Sequence, residues 1–231
     1  MNAVAPVAVW WRDDDAGRDD PRLQPLLEIA ARHRVPVALA VVPAWLAEPA
    51  RARLLASREA VVWQHGWDHS DHSGGQGKPI ELGGRREVAA LIDDLVRGRA
   101  RLTGAFGERF RPVLVPPWNR IDAPVRAALP GGLWTGLSRF GPEVAGARPT
   151  EINTQVDGIL WRAGRRALDL DGWRRALDAQ IAAGRTRIGL LTHHRQMDGA
   201  ALAALDRLIA FLLQDSRIRW LDPGRWNGED G

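Results

Sequence analysis

The sequence predicts an α/β fold in which parallel strands and helices alternate around a barrel, and three observations predict it. Short apolar, β-branched runs recur along the chain, each closed by polar, Gly or Pro residues and several leading into an amphipathic helical pattern. The 231 residues are enough for one large core, and 45% hydrophobic with 26% charged residues is the composition of an ordinary globular protein. Acids and histidines gather at the carboxyl ends of the apolar runs, which in a parallel barrel all lie on one rim.

Taken in order, "VAVWW" (7–11) reads as the first strand. "DDPRLQPLLEIAARH" (19–33) reads as a helix with Asp20 as its cap and Pro21 in its first turn. His33, near the end of that helix, suits the negative end of the dipole. "VPVALAVV" (35–42) is the second strand and "AVVWQ" (60–64) the third. A Gly-rich loop, "SGGQGKPIELGG", then leads into a long helix from Arg85 to Leu102. "RPVLVPPWNR" (111–120) is a fourth strand ending in a double proline, with a short helix from Asp122 onward. "GLWTGLS" and "TEINTQVD" are the fifth and sixth strands, followed by a helix from Asp171 to Ala183. "TRIGLLTHH" (186–194) has the pattern of a buried strand; a helix from Asp198 to Gln214 and a last strand, "IRWL", complete the chain.

The composition argues against several function classes. Net charge is only +4, from 32 basic and 28 acidic residues, and no Lys/Arg block with interleaved aromatics suggests a nucleic-acid groove. The arginines alternate with acids along stretches such as "RREVAALIDDLVRGRAR", the pattern of a solvated helix face. Cysteine is absent, so a bound metal would need His, Asp or Glu ligands. The N-terminal stretch has no basic region followed by a long apolar core, and the longest apolar run is too short and proline-interrupted to span a bilayer. These readings predict a cytoplasmic protein with no membrane and no nucleic-acid partner, and they leave the oligomeric state open.

"HGWDHSDH" (65–72) places three of the six histidines and two aspartates within eight positions. A solvated polar loop and a metal cage both fit such a cluster. His65 and His69 stand four apart, so one helical turn would point both rings at a single ion. With Asp15 from a distant strand end, they make the two-histidine, one-carboxylate set of hydrolytic zinc sites. The run Asp13-Asp14-Asp15 favours a nearby cation, since adjacent carboxylates disfavour one another's ionisation. One acid could bind the ion while its neighbour takes a proton from water.

Five motifs in order, from residue 12 to residue 194, resemble the polysaccharide deacetylases with the NodB-type domain, also called carbohydrate esterase family 4. The family's T-F-D-D-[GA] is similar to "RDDDA", and its H-[ST]-x-x-H to "HGWDH". Its R-x-P-[YF]-G resembles "LVPPWNR", its Asp-then-Trp motif "DGILW", and its L-x-H "LTHH". The resemblance implies a distorted (β/α)7–8 TIM-like barrel, one domain over residues 1–231. It implies a divalent metal, zinc above others, on Asp15, His65 and His69, with Asp14 as general base and His193 as general acid. Trp67, Pro117, Trp118, Asn119, Arg120, Asp157 and Trp161 would line the substrate groove, and His72 would stand behind a ligand.

The departures from the family pattern are specific. Gly66 removes a loop-steadying hydroxyl, for which packing of Trp67 would compensate; Asn119 and Arg120 replace glycine; Arg12 and Asp13 replace Thr-Phe and would make the mouth more polar. His194, beside His193, could take over the acid's role with a small change in register. Most of the eleven tryptophans are expected in the core, with Trp67, Trp118 and Trp161 at the rim as flat surfaces for a sugar. The implied reaction is hydrolysis of an N-acetyl group on a sugar or polysaccharide, releasing acetate and a free amine. The alternatives are an allantoinase-like amidase acting on a small cyclic amide and a non-catalytic carbohydrate-binding relative.

Overall fold

A computed structural model describes residues 6–226. The first five residues, part of the stretch read for a leader, lie outside the described residues, as do the last five. In chain order the elements are β1 (Val7–Ala16), α1 (Leu23–His33), β2 (Val37–Val41), α2 (Glu48–Ala56), β3 (Ala60–His65), α3 (Val88–Phe106), β4 (Phe110–Val115) and α4 (Ala123–Ala127). Then come β5 (Gly136–Leu137), β6 (Thr150–Glu151), β7 (Val156–Asp157), the small hairpin β8 (Ile159–Leu160) and β9 (Arg166–Ala167), α5 (Leu170–Ala182), β10 (Arg187–Thr192), α6 (Gly199–Gln214) and β11 (Ile218–Trp220).

The main sheet runs β6-β5-β4-β3-β2-β1-β10-β7, with every pair parallel and β11 paired to the start of β1. Its two outer strands belong to one extended segment, residues 150–157. The first half pairs with β5 and the second with β10, and in between Gln155 exchanges both backbone hydrogen bonds' worth of polarity with Gly189: its N–H donates to the Gly189 carbonyl at 2.8 Å, and its side-chain oxygen accepts from the Gly189 N–H at 2.7 Å. The sheet thus curls into a distorted barrel of seven staves, as expected. The single sixth strand read at "TEINTQVD" is instead two short strands, because one segment serves two edges.

Alternation along the strands sorts the core into an inside and an outside. Val7, Val9 and Trp11 of β1, with Val37, Leu39 and Val41 of β2, pack outward under α1, α5 and α6. Trp10, Ala38, Ala40, Trp63, Val113 and Val115 pack together inside the barrel. Two indoles, their ring centroids 5.5 Å apart, fill this interior, and the small neighbours Ala38, Ala40 and Gly189 make room for them. Leu114 and Leu137 face the other way, onto α3 and α4.

Three further sequence expectations need correction. β1 continues to Ala16, through four polar residues, because Arg12, Asp13 and Asp14 are buried with partners and need no solvent. α1 starts at Leu23, and Asp20 does not cap it; the Asp20 carboxylate accepts from the Arg22 backbone N–H at 2.9 Å and from its guanidinium at 2.7 Å. α2 was not marked in the sequence, since "EPARARLLA" buries only Ala50 and Leu54 and so carries almost no apolar stripe. His33 does sit in the last turn of α1, and its Nε2 also meets Asp206 of α6 at 2.7 Å. The start of α6 agrees with expectation: Asp198 caps it, accepting from Ala201 N–H at 2.8 Å.

Gly189 tests the packing of the interior. A Cβ there would lie 2.6 Å from Trp10 Cε2 and 2.7 Å from Cζ2. Gly189→Ala, which elsewhere in a strand would help, is therefore expected to destabilise the protein by about 1–3 kcal/mol. Urea unfolding measures this, and a neutral or more stable variant would mean that the barrel interior has slack.

Candidate metal centre and active site

The three adjacent aspartates at the end of β1 point in three directions. Asp14 follows the strand's alternation inward, onto the same face as Arg12 and Trp10. Arg12 Nε lies 2.8 Å from Asp14 Oδ1, and its Nη2 donates to Oδ2 at 3.0 Å, a two-point grip between side chains that are 0% and 2% exposed. The same guanidinium donates to Asn119 Oδ1 at 2.7 Å and Ser138 Oγ at 2.7 Å, tying β1 to the loops after β4 and β5. Arg12 and Asp13 are thus fully buried, not exposed at a polar mouth as the sequence suggested.

Asp13 faces the helical layer. Its carboxylate accepts from the His194 backbone N–H at 2.9 Å and Thr192 Oγ1 at 2.7 Å, and lies 2.5 Å from His194 Nδ1. Burial opposes protonation of His194, but the charge of Asp13 and its hydrogen bond prevail and hold the imidazole above its ordinary value. His194 is therefore held on Asp13, while His193 faces Asp14.

Asp15 breaks the alternation. Between Asp13 and Ala16 the register with β2 shifts, and Asp15 takes a left-handed φ of 71° that swings its carboxylate toward β3. Its Oδ1 lies 3.3 Å from His65 Nε2 and 3.3 Å from His69 Nε2. Burial resists ionisation of Asp15, but hydrogen bonds from both imidazoles and the charge of His65 and His193 hold its carboxyl well below the usual range. His65 closes β3, and its Nδ1 meets the Val115 carbonyl at 3.0 Å, which keeps a proton on Nδ1; Nε2 would offer a lone pair to a ligand once it gives up the proton it shares with Asp15. No helical turn joins the two histidines: Gly66 and His69 both hold left-handed φ, 53° and 61°, and the tight loop they make brings the rings to 5.3 Å.

These residues fit a metal. Among the described residues Asp15, His65 and His69 are the one group of three potential ligands whose donor atoms lie within 4.8 Å of one another. Bonds of about 2.0–2.1 Å in a tetrahedral shell set ligand atoms about 3.3–3.4 Å apart, close to the two separations seen here. Four of the six non-glycine residues with left-handed φ, Asp15, His69, Trp118 and Asn119, stand at this rim, where backbone strain is typically concentrated for function.

His193, directly after β10, lies across the centre, with Nε2 3.9 Å from Asp14 Oδ2 and Nδ1 3.9 Å from Asp157 Oδ1. The edge of Trp161 meets its ring at 4.8 Å, and Trp161 Nε1 donates to Asp157 Oδ2 at 2.8 Å. Burial raises the Asp157 carboxyl, against the opposing charge of His193. Trp118 packs on His69 at 4.2 Å, beside buried Pro117. Arg120 reaches away to the Pro79 carbonyl at 2.7 Å. Trp67 is half-buried, with Arg97 over its ring at 4.1 Å and Gly98 of α3 beside its edge, so that much of it packs on the scaffold. His72 stands behind the 66–69 loop, its Nδ1 2.6 Å from the Glu81 carbonyl.

Sequence reasoning missed three residues. Arg12 shares a strand face with Asp14, a period-two signal that was legible once β1 is allowed to run on. Trp45, in the turn after β2, sits 5.3 Å from His69, with the Arg18 guanidinium over its ring at 4.1 Å. Glu81, from the Gly-rich stretch, is 2% exposed under the 66–69 loop; burial pushes its carboxyl up to about 7, against the N–H donors of Trp67 and His69 and with the help of Asp68. A recess of about 950 Å³ lies elsewhere, beside Trp10, Arg187, Trp220 and Trp226, away from the ligand group.

The α/β barrel is shared, over about nine-tenths of this chain, with many solved polysaccharide deacetylases and related carbohydrate esterases. A candidate polysaccharide deacetylase from Mycobacterium smegmatis superposes with a TM-score of 0.67 at 17% identity, covering 94% of this chain and 90% of its own. A family 4 acetyl xylan esterase from Clostridium thermocellum, in complex with a cobalt ion, gives 0.64 at 14% identity, covering 93% and 87%. A mutant of a family 4 pseudoenzyme gives 0.62 at 16%, covering 93% and 65%. No sequence-family model matches the chain, and no curated protein matches it. At these identities the likeness establishes the fold.

The pair Asp13–His194 makes a prediction about pH. The His194 pKa is raised in the folded state, so the stability it contributes is full below about pH 6.5, its ordinary value, and drains as pH rises through the raised one. Urea unfolding of metal-free protein from pH 6 to pH 9 should show the stability advantage over His194→Gln shrinking with rising pH. Parallel profiles for the two proteins would refute it.

Proposed function

We propose that the protein is a metal-dependent hydrolase that removes an N-acetyl group from a sugar or a short saccharide. The observation that carries this reading is that Asp14, Asp15, His65, His69 and His193 lie together on one rim, where they could serve as base, metal ligands and acid. Zinc fits the two-histidine, one-carboxylate set; when bound there it would polarise a water and the acyl oxygen. Asp14 takes the proton from the attacking water, since its carboxylate is fixed by Arg12 from one side and open toward His193 on the other. His193 then gives a proton to the departing amine nitrogen, with the Asp157 carboxylate 3.9 Å from its Nδ1 to offset the ring's charge. Trp161 and Trp118 flank the two sides of the centre as flat walls for a pyranose ring. No helix among the described residues is long and apolar enough to cross a membrane.

The test is acetate release from N-acetylated sugars and chito-oligosaccharides by zinc-loaded protein, with cyclic ureides assayed in parallel. Acetate is the expected product. Turnover of ureides alone would transfer the chain to the cyclic amidases, and no turnover of either with sugar binding retained would make it a non-catalytic relative. Asp14→Asn should lower kcat by about 10²–10⁴-fold while metal affinity stays, because the base touches water and not the ion.

Arg12→Lys separates grip from charge. Lysine keeps the positive charge but loses the planar fork that holds both Asp14 oxygens. A drop in kcat on the order of 10²-fold with little change in KM or metal affinity is expected, since a small displacement of a reacting group costs that much. Wild-type kcat in this variant would show that the base needs no such alignment.

A further inference from the structure

Gly66 opens the loop between the two histidine ligands at φ 53°, and a side chain there has no space. A Cβ would fall 2.5 Å from Glu81 Oε2 and 2.6 Å from Oε1. That carboxylate comes from a segment fifteen positions away, across the Gly-rich stretch, and lies directly under the loop. Oε1 accepts from the Trp67 backbone N–H at 2.5 Å, and Oε2 accepts from the His69 backbone N–H at 2.8 Å. One side chain therefore spans the turn from its first residue to the ligand itself. Glu81 is in turn held from behind. His72 Nδ1 meets its carbonyl at 2.6 Å, the His72 N–H donates to the Ile80 carbonyl at 2.7 Å, and Leu82 bridges to Ile121.

We propose that Glu81 is a positioning residue for the metal site: its carboxylate replaces, from a distant segment, the hydroxyl missing at Gly66 and presets His69 in its left-handed conformation. Packing of Trp67, the compensation suggested by the sequence, does not perform this task, because its ring is turned to α3. The inference rests on the metal reading of Asp15, His65 and His69. It also explains why glycine stands at 66: the carboxylate occupies the volume that a Ser or Thr side chain would need. Both oxygens are committed to backbone donors, so a side chain of the same shape with only one acceptor cannot serve. In Glu81→Gln the amide nitrogen is turned against one of the two N–H groups, and a buried donor loses its partner.

The experiment compares metal-free wild type, Glu81→Gln and Glu81→Ala at pH 8. Zinc binding is read by calorimetry, cobalt binding by its visible absorption, and the unfolding temperature is recorded without metal. Glu81→Gln is expected to bind zinc about 10–100-fold more weakly and to alter the cobalt spectrum, with the metal-free unfolding temperature little changed. Glu81→Ala should lose at least as much affinity; if it does not fold, the isosteric variant carries the test. Wild-type affinity and spectrum in Glu81→Gln overturn the proposal and leave the metal reading standing. A wild-type protein that binds neither ion overturns the metal reading and the proposal with it. A Glu81→Gln protein that is globally unfolded shows a purely structural role and also overturns it.

Discussion

Three consecutive carboxylates, two buried and the third half-buried, cannot share one environment, and the site exists because β1 sends each of them to a different cation or imidazole. Strand alternation alone separates Asp13 from Asp14, one to His194 in the helical layer and the other to Arg12 inside the barrel. It would also send Asp15 to the same side as Asp13. The register shift against β2 and the left-handed φ at Asp15 prevent that and turn the third carboxylate to His65 and His69. A bulge of this kind re-aims a side chain at a local cost of about 1–3 kcal/mol, less than the penalty for a third buried charge without a partner.

The remainder of the fold maintains that division. Taking charged side chains out of water gains stability only where geometry and further hydrogen bonds repay their desolvation. Arg12 meets this condition with contacts to Asp14, Asn119 and Ser138, which connect three strand ends. The barrel can admit so polar a layer at its rim because the layer below it is dense and apolar, with Trp10 and Trp63 filling the interior. The segment 150–157 closes the ring and delivers Asp157 at its end, beside His193. Closure of the barrel and completion of the acid's environment are thus one structural event.

Much of this was legible in the sequence, and the gaps have physical causes. The strand-helix alternation and the rim position of the acids and histidines follow from apolar periodicity, which the parallel sheet enforces. The end of β1 was not legible, because polarity normally ends a buried strand, and only the partners 107 to 181 residues away explain why Arg12 and Asp13 stay inside. The convergence of His65 and His69 was read correctly in its result but through a helical turn that the chain does not make. Two left-handed residues do the work of that turn. Glu81 could not be found from spacing, since it approaches the loop through the space left by a missing Cβ at Gly66, which is a fact of three dimensions.

The fold by itself does not decide between catalysis and binding, for it is shared by an acetyl xylan esterase and by a pseudoenzyme alike. Residue type is a better guide, and the partners of each residue are better still. A rim kept only to bind sugar would gain nothing from holding Asp14 in a two-point grip by a fully buried arginine, or from straining Asp15 and His69 into left-handed backbone. The strained backbone carries a standing cost in stability, and neither arrangement presents surface to a saccharide. They are intelligible where a carboxylate must meet a water in one orientation and a cation must be held by a preset triangle, which is why hydrolysis is the function that best accounts for the structure.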